Sequence, residues 1–308
     1  MDVVTAPALG AVDVSLIVCT RNRREALARL LESLEHLVVP REMRWELIVV
    51  DNGSTDGTPA LLASPPGTLP VRTVREPVPG LSRARNAGLA SAAGDLLLFT
   101  DDDCLPDPHW LAVVRDEFAR APALGMLGGR VELFDERDQP TTTRTSRERG
   151  QVSTAFNLDA IIGCNMAFRR SALATIGPFD VALGSGTGAG AGEDVDFVYR
   201  ALRAGLRVEY SPDALVYHNH GRRTEAQARA LKRAYTVARG ALFCKYLLQR
   251  DRRILPRIQK DLRWHLRAMV TDLRAPRFPS RVVRHYYHLG VGAAYWMRHR
   301  LTERDTAR

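Results

Sequence analysis

The chain has 308 residues, 45% hydrophobic and 26% charged, a globular composition that excludes a mainly disordered or fibrous chain. Its net charge of +9 is unevenly placed: residues 222–308 carry 22 Lys and Arg against 6 Asp and Glu, residues 1–221 carry 22 against 29. The four cysteines, Cys19, Cys104, Cys164 and Cys244, are far apart and exclude a disulfide framework or a CxxC zinc site, which points to a reducing compartment.

Taken in chain order, Val14 to Cys19 is a short apolar run rich in β-branched residues and reads as a buried strand. Leucines at 27, 30, 31, 34 and 37 give the following stretch helical spacing. Trp45 to Val50 is a second buried strand, stopped by the turn formers Asp51-Asn52-Gly53-Ser54. Val71 to Arg75 reads as a third strand, Leu81 to Ala92 as a helix, and Leu96 to Thr100 as a fourth strand. Pro108 to Arg120 reads as a helix with proline in its first turn. Strands alternating with helices predict a Rossmann-like, mostly parallel α/β sheet flanked by helices, with ligands beyond the carboxyl ends of the strands. Polar clusters stand at those ends: Thr20-Arg21-Asn22, Asp51-Asn52-Gly53 and Asp101-Asp102-Asp103.

Beyond the fourth strand the pattern loosens. Arg130 to Ser153 is polar and includes a loop, Gly163 to Arg169 is a further strand, and Gly184 to Gly192 is a flexible glycine loop. Glu193 to Ala204 is a helix, followed by strands at Arg207–Tyr210 and Leu215–Tyr217. From Arg222 the chain is helical and arginine-rich, with Leu231, Tyr235, Ala238 and Leu242 on one stripe. Two regions are expected: residues 1–221 as an α/β body and 222–308 as a basic helical extension. No secretory leader is read in Met1 to Asp13, and the apolar run Leu289–Met297 falls far short of the roughly 20 residues that span a bilayer. A cytoplasmic protein with peripheral membrane contact is the expectation.

Three adjacent carboxylates after a buried strand are costly without a cation, so Asp101, Asp102 and Asp103 read as a site for Mn²⁺ or Mg²⁺, or as an Asp-rich capping turn. In an extended chain Asp101 and Asp103 would face the same side. Asp51 reads as an acceptor for a base or ribose, or as a plain turn residue. The pair Glu193-Asp194 at a helix start reads as a general base, or as a response to the helix dipole. His218 reads as a metal ligand or a structural histidine, and Arg83 and Arg85 as phosphate contacts or solvated arginines.

The motifs Val18-Cys19-Thr20-Arg21-Asn22-Arg23, Val49 to Thr58, Ala84-Arg85-Asn86-Ala87-Gly88, Asp101-Asp102-Asp103, Gly192 to Asp196 and Tyr217-His218 together resemble the family 2 glycosyltransferases. That resemblance spans roughly residues 14 to 220. It implies the glycosyltransferase A-type fold and inverting transfer from a nucleotide-diphospho-sugar of UDP, GDP or dTDP type. It also implies nucleotide contacts from Thr20, Arg21, Asp51 and Arg85, with Asp101 and Asp102 beside the diphosphate and ribose. By the same resemblance Asp103 and His218 hold Mn²⁺ or Mg²⁺, and Asp194 is the base with Glu193 as its alternative. The first loop departs from the tyrosine- or proline-rich start common in relatives. No Gln-x-x-Arg-Trp element of the processive synthases is found, which favours transfer of single sugars to an acceptor the sequence does not name.

Two other readings compete. A sugar-nucleotide nucleotidyltransferase would open with a Gly-rich loop, and Cys19 to Arg23 contains no glycine. A non-catalytic nucleotide-sugar-binding scaffold with a membrane- or polyanion-binding tail is opposed by intact Asp103, Asp194 and His218. The basic tail suits an anionic membrane, with Tyr286, Tyr287, Tyr295 and Trp296 at the interface, or a homodimer contact. Nucleic acid is not the expected partner.

Overall fold

A computed structural model of the chain describes residues 12–153, 158–274 and 280–306. The opening eleven residues, read above as part of a segment without a leader, lie outside the described residues. So do residues 154–157.

The elements follow in order: β1 (Val14–Thr20), α1 (Arg24–Leu34), β2 (Trp45–Asp51), α2 (Thr58–Ala63), β3 (Val71–Arg75), α3 (Leu81–Ser91), β4 (Leu96–Asp101), β5 (Cys104–Pro106) and α4 (Trp110–Arg120). Then come β6 (Leu124–Leu133), β7 (Gly150–Gln151), β8 (Met166–Arg169), α5 (Arg170–Ile176), α6 (Glu193–Arg203), β9 (Arg207–His218), α7 (Glu225–Leu248), α8 (Leu255–Arg274) and α9 (Ser280–Thr306). The strands form one sheet in the order β3-β2-β1-β4-β8-β6-β9-β5, with β7 paired to β9. β1, β2, β3, β4, β6 and β9 run one way, and β5, β7 and β8 run against them.

β1 is covered on both sides, and this is why it reads as an unbroken apolar run. Leu16 and Val18 turn toward Leu27, Leu30 and Trp110 on one face, while Ile17 joins Phe99, Phe168 and Phe197 on the other. Leu27, Leu30, Leu31 and Leu34 are the buried side of α1, as their spacing predicts. The differences lie later in the chain. Pro108 precedes its helix, which starts at Trp110 with His109 as N-cap, because the Pro108 carbonyl is taken by the Val38 amide. The two short strands expected at 207–217 are one, β9, pairing with β6 across a register shift at Gly129/Arg130.

The basic C-terminal region is packed onto the body through charge as well as carbon. Asp196 on α6, fully buried, accepts from Lys245 Nζ at 2.5 Å, Tyr246 Oη at 2.6 Å and Arg200 Nε at 2.8 Å. Lys245 also reaches Asp180 at 2.7 Å. α7 and α9 cross with almost no side chain between them. A Cβ on Gly240 would strike the Leu289 carbonyl, and one on Gly292 the Val237 carbonyl. Trp296 is only 5% exposed and Tyr295 donates to the Ala182 carbonyl at 2.9 Å. These two aromatics, expected at an interface, instead fasten α9 to the body. Among the described residues no helix is long and apolar enough to cross a membrane.

Asp196→Ala strands a buried lysine and part of a guanidinium, so it should lower unfolding free energy by about 3–5 kcal/mol, read as a shift in urea midpoint.

Candidate active site

The sheet register delivers the polar strand ends to one place. Thr20 lies opposite Asp51 in the β1–β2 pair, and Cys19 opposite Asp101 in the β1–β4 pair. Beyond these ends is a cleft of about 330 Å³. Its wall includes Thr20, Arg21, Arg85, Asp101, Asp102 and Asp103 from the first half of the chain, and Glu193, Asp194 and His218 from the second. Two expected residues lie outside that wall, Asp51 and the exposed Arg83. Asp51 is buried and its Oδ1 accepts from the Ser54 amide at 2.9 Å, while its neighbour Asn52 lines the cleft. Asn52 in turn fastens the loop before α3, bonding the Glu76 and Val78 carbonyls and the Gly80 amide.

The aspartates divide their partners. Asp102 and Asp103 sit in a turn between β4 and β5, so the extended-chain argument that paired Asp101 with Asp103 does not describe them. Asp102 Oδ2 accepts from Thr20 Oγ1 at 2.7 Å. Arg23 spans the next two, with Nε 3.3 Å from Asp102 Oδ1 and Nη2 2.7 Å from Asp103 Oδ2. Burial pushes Asp102 up to about 7 against the pull of Arg23 and Thr20. Burial also acts to raise Asp103, but His218 and Arg23 outweigh it and hold the carboxyl down at about 2. His218 is raised to about 9: burial opposes this, and the Asp103 hydrogen bond overcomes it.

Asp103 Oδ1 and His218 Nε2 are 3.2 Å apart. An octahedral ion with bonds of about 2.1 Å sets adjacent ligands about 3.0 Å apart, so this carboxylate–imidazole edge has the span to hold one divalent cation once the proton they share is lost. The Thr142 carbonyl, 3.4 Å from His218 Nδ1, stands behind the ring as such ligands require. Cys104 lies in the same cluster, but burial keeps its thiol protonated and a hard cation prefers oxygen and imidazole.

Arg85, 2% exposed, ties the two halves together. Its Nη1 meets Glu193 Oε1 at 2.8 Å, its Nη2 is 3.6 Å from Asp101, and its guanidinium lies over the Phe99 and Phe179 rings. Gly163 abuts it, where a Cβ would come within 2.6 Å of Nη2. The pair pulls in two senses: Glu193 and Asp101 hold Arg85 charged, whereas burial and Asp194 raise Glu193 to about 7 with Arg85 opposing. The 2.8 Å contact is that of an ion pair, and above pH 7 Glu193 is ionised. Asp194 is half-buried and differently placed, with Oδ2 accepting from the Gly163 amide at 3.0 Å and Oδ1 from the Val195 amide at 2.8 Å. It lines both this cleft and a second cavity of about 300 Å³ beyond it.

The glycine loop read as flexible is a folded turn. Gly184, Gly186, Gly190 and Gly192 all have positive φ, the conformation that requires glycine there. Its start is pinned by Ser82 Oγ on the Leu183 carbonyl and by the Leu81 amide on the Ser185 carbonyl, and the Gly184 amide closes it on the Ala191 carbonyl at 3.2 Å. Arg23, Arg222 and Tyr235 line the cleft without having been singled out as site residues. Arg23 follows a noted strand-end cluster directly, but nothing local to Arg222 or Tyr235 could reveal that α7 folds back over the sheet.

Between pH 4.5 and about 7 folded Glu193 keeps a proton that the unfolded chain has lost. Stability should therefore fall as pH rises through that window, by at most ~1.4 kcal/mol per unit. In Glu193→Gln that component of the slope should vanish in urea titrations across the same range.

Residues 15–177, just over half of the chain, match the family described as Glycosyl transferase family 2. The chain is 30% identical to the pre-mycofactocin glycosyltransferase of Mycobacterium tuberculosis over 218 residues, covering 68% of this chain and spanning 43% of that relative's length. It is 28% identical to the succinoglycan biosynthesis protein ExoM of Rhizobium meliloti over 260 residues, 73% of this chain and 79% of that one. Among solved structures, the mannosyltransferase PcManGT from Pyrobaculum calidifontis superposes with a TM-score of 0.59 at 19% identity, covering 94% and 88% of the two chains. S. aureus TarS gives 0.59 at 20%, covering 77% and 40%. At such identities these two likenesses speak for the glycosyltransferase A-type fold alone. With more than half of its length matched to one family, this chain belongs to glycosyl transferase family 2.

Proposed function

We propose that the chain transfers a single sugar from a nucleotide-diphospho-sugar of UDP, GDP or dTDP type to an acceptor hydroxyl, with inversion at the anomeric carbon. One observation carries the reading: Asp103 and His218, a carboxylate–imidazole edge of 3.2 Å, share a cleft with Asp194, which alone of the Glu193-Asp194 pair has no cation bonded to it in that cleft. The relatives' names add support. PcManGT is described in complex with GDP-Man and Mn²⁺, and TarS in complex with UDP-GlcNAc.

Thr20, Arg21 and Asn52 at the strand ends would bind the nucleoside, and buried Asp51 would shape their loop. Arg85 would keep Asp101 and Glu193 in place. Asp103 and His218 would hold Mn²⁺ or Mg²⁺, which when bound neutralises charge on the departing diphosphate. Arg23 Nη2 now occupies Asp103 Oδ2 and would turn toward the diphosphate, a move its 44% exposed side chain permits. Asp194 would take the proton of the attacking hydroxyl, held by the Gly163 and Val195 amides so that its carboxylate need not reorganise. Residues 1–221 serve as the catalytic region and 222–308 as an extension that closes its far side. Val283, Tyr287, Met297 and Leu301 form an exposed apolar stripe on α9 beside Arg284, Arg298 and Arg300, which supports peripheral contact with the cytoplasmic face of an anionic membrane.

Thermal-shift titration with UDP-, GDP- and dTDP-sugars, with and without Mn²⁺, tests the donor site. One nucleotide class should stabilise the wild type in a metal-dependent way, and Asp103→Ala should abolish that dependence. No shift with any of them removes the donor assignment. Asp194→Asn should retain nucleotide binding while kcat falls roughly 10²–10⁴-fold, and Glu193→Gln should lose less.

A further inference from the structure

The second cavity differs in chemistry from the cleft it adjoins. Ile161, Ile162, Val195, Leu242, Phe243 and Ile254 give it hydrocarbon walls. The tyrosine hydroxyls in its wall are turned to partners: Tyr199 Oη donates to Asp251 at 3.0 Å, Tyr246 Oη to Asp196 at 2.6 Å, and Tyr235 Oη lies 3.0 Å from Thr142 Oγ1. A sugar, which brings a hydroxyl on nearly every carbon, would leave many of them unpaired there, at about 1–3 kcal/mol each. At the near end stands Asp194, and at the far end Arg239 and Arg257. These two arginines also line a third cavity of about 430 Å³, together with Lys232 and Lys260 against Asp159 and Asp261. Cations outnumber carboxylates four to two in that wall. The Arg257 side chain is 9% exposed, while its partner Asp159, 2.6 Å away, is 62% exposed. Arg239 is held at 2.8 Å by Asp261, itself only 8% exposed, so Arg257, whose carboxylate partner is solvated, is the guanidinium that can exchange that partner for a ligand anion.

We infer that the acceptor is an anionic amphiphile rather than a sugar: a hydroxyl at Asp194, an apolar body in the second cavity, and a carboxylate or phosphate at Arg257. This rests on the proposed function, with Asp194 as base. The acceptor oxygen attacks the anomeric carbon and forms the new C–O bond. The bond from that carbon to the diphosphate oxygen breaks, its electron pair leaves with the nucleoside diphosphate, and the hydroxyl proton passes to Asp194. The body can come from a fatty chain or from an aromatic ring, and the test separates the two.

The experiment is calorimetric titration of the enzyme, saturated with the nucleoside diphosphate and Mn²⁺ that bind it, using five probes: ω-hydroxydodecanoate, para-hydroxyphenylpropanoate, the methyl ester of each, and maltose as the sugar control. At least one acid should bind about tenfold or more tightly than its own ester, as a charge-assisted bond to arginine implies, and more tightly than maltose. Which acid binds better names the source of the body. Arg257→Gln should bring acid and ester to within about twofold of each other. Leu242→Trp, which fills the cavity, should weaken both about tenfold or more while nucleotide affinity stays unchanged. Maltose binding best, or acid and ester binding wild type equally, overturns the proposal. Loss of nucleotide binding in the wild type would instead remove the donor-site reading, and the two failures are thereby told apart.

Discussion

The guanidinium of Arg85 sits where α3, β4 and α6 meet, sandwiched by the Phe99 and Phe179 rings and bonded to Glu193 and Asp101. Carboxylates crowd this end of the sheet, and burying several together is unfavourable unless a cation is buried with them. Arg85 is that cation. Its fork is rigid, so it fixes direction as well as charge: the bond to Glu193 sets where α6 begins, and the start of α6 sets where Asp194 stands. Gly163 has no side chain because Arg85 occupies the space, and the Gly163 amide in turn holds Asp194. One buried charge therefore connects the strand-end half of the cleft to Asp194, the carboxylate proposed as the base.

A second buried charge does the same for the outer wall. Lys245 and Tyr246 on α7 converge on Asp196, two residues beyond Asp194 on α6. Such a pair gains little over apolar packing, since desolvating the ions offsets their attraction. It does select one seating of α7 on α6 over its slipped neighbours, because a shift of one turn would take Lys245 and Tyr246 from Asp196 and leave it Arg200 alone. That seating brings Tyr235, Ala238 and Leu242 to the cavities, so the apolar stripe of α7 lines a working surface as well as a core. The glycines at the α7–α9 crossing let α9 approach closely enough for Tyr295 to reach the Gly184–Gly192 turn.

The alternation of strand and helix through residue 120 was legible because parallel strands covered on both faces leave unbroken apolar runs, and these end in polar residues at the ligand edge. Nine of the eleven expected site residues line one cleft for that reason. What misled was geometry within short segments. Asp101 and Asp103 were placed on one side of a strand, whereas the chain turns after Asp101 and hands Asp103 to Arg23 and His218. Asp51, read either as an acceptor for a base or ribose or as a turn residue, accepts from the Ser54 amide in its own turn. β6 and the continuity of β9 went unread because a register shift and small residues at Gly125, Gly128 and Gly129 break the strand pattern.

The sequence by itself determined the α/β class, the family and the identity of the charged residues at the strand ends, since these follow from local periodicity and from motifs in fixed order. Only the tertiary structure decided which carboxylate each arginine neutralises, that Glu193 is engaged while Asp194 is not, and that the basic tail builds an apolar cavity beside it. Those outcomes depend on contacts between residues far apart in the chain, such as Arg85 with Glu193 and Lys245 with Asp196. Periodicity carries no record of such contacts, because any arginine or lysine on the right face would have satisfied the same pattern.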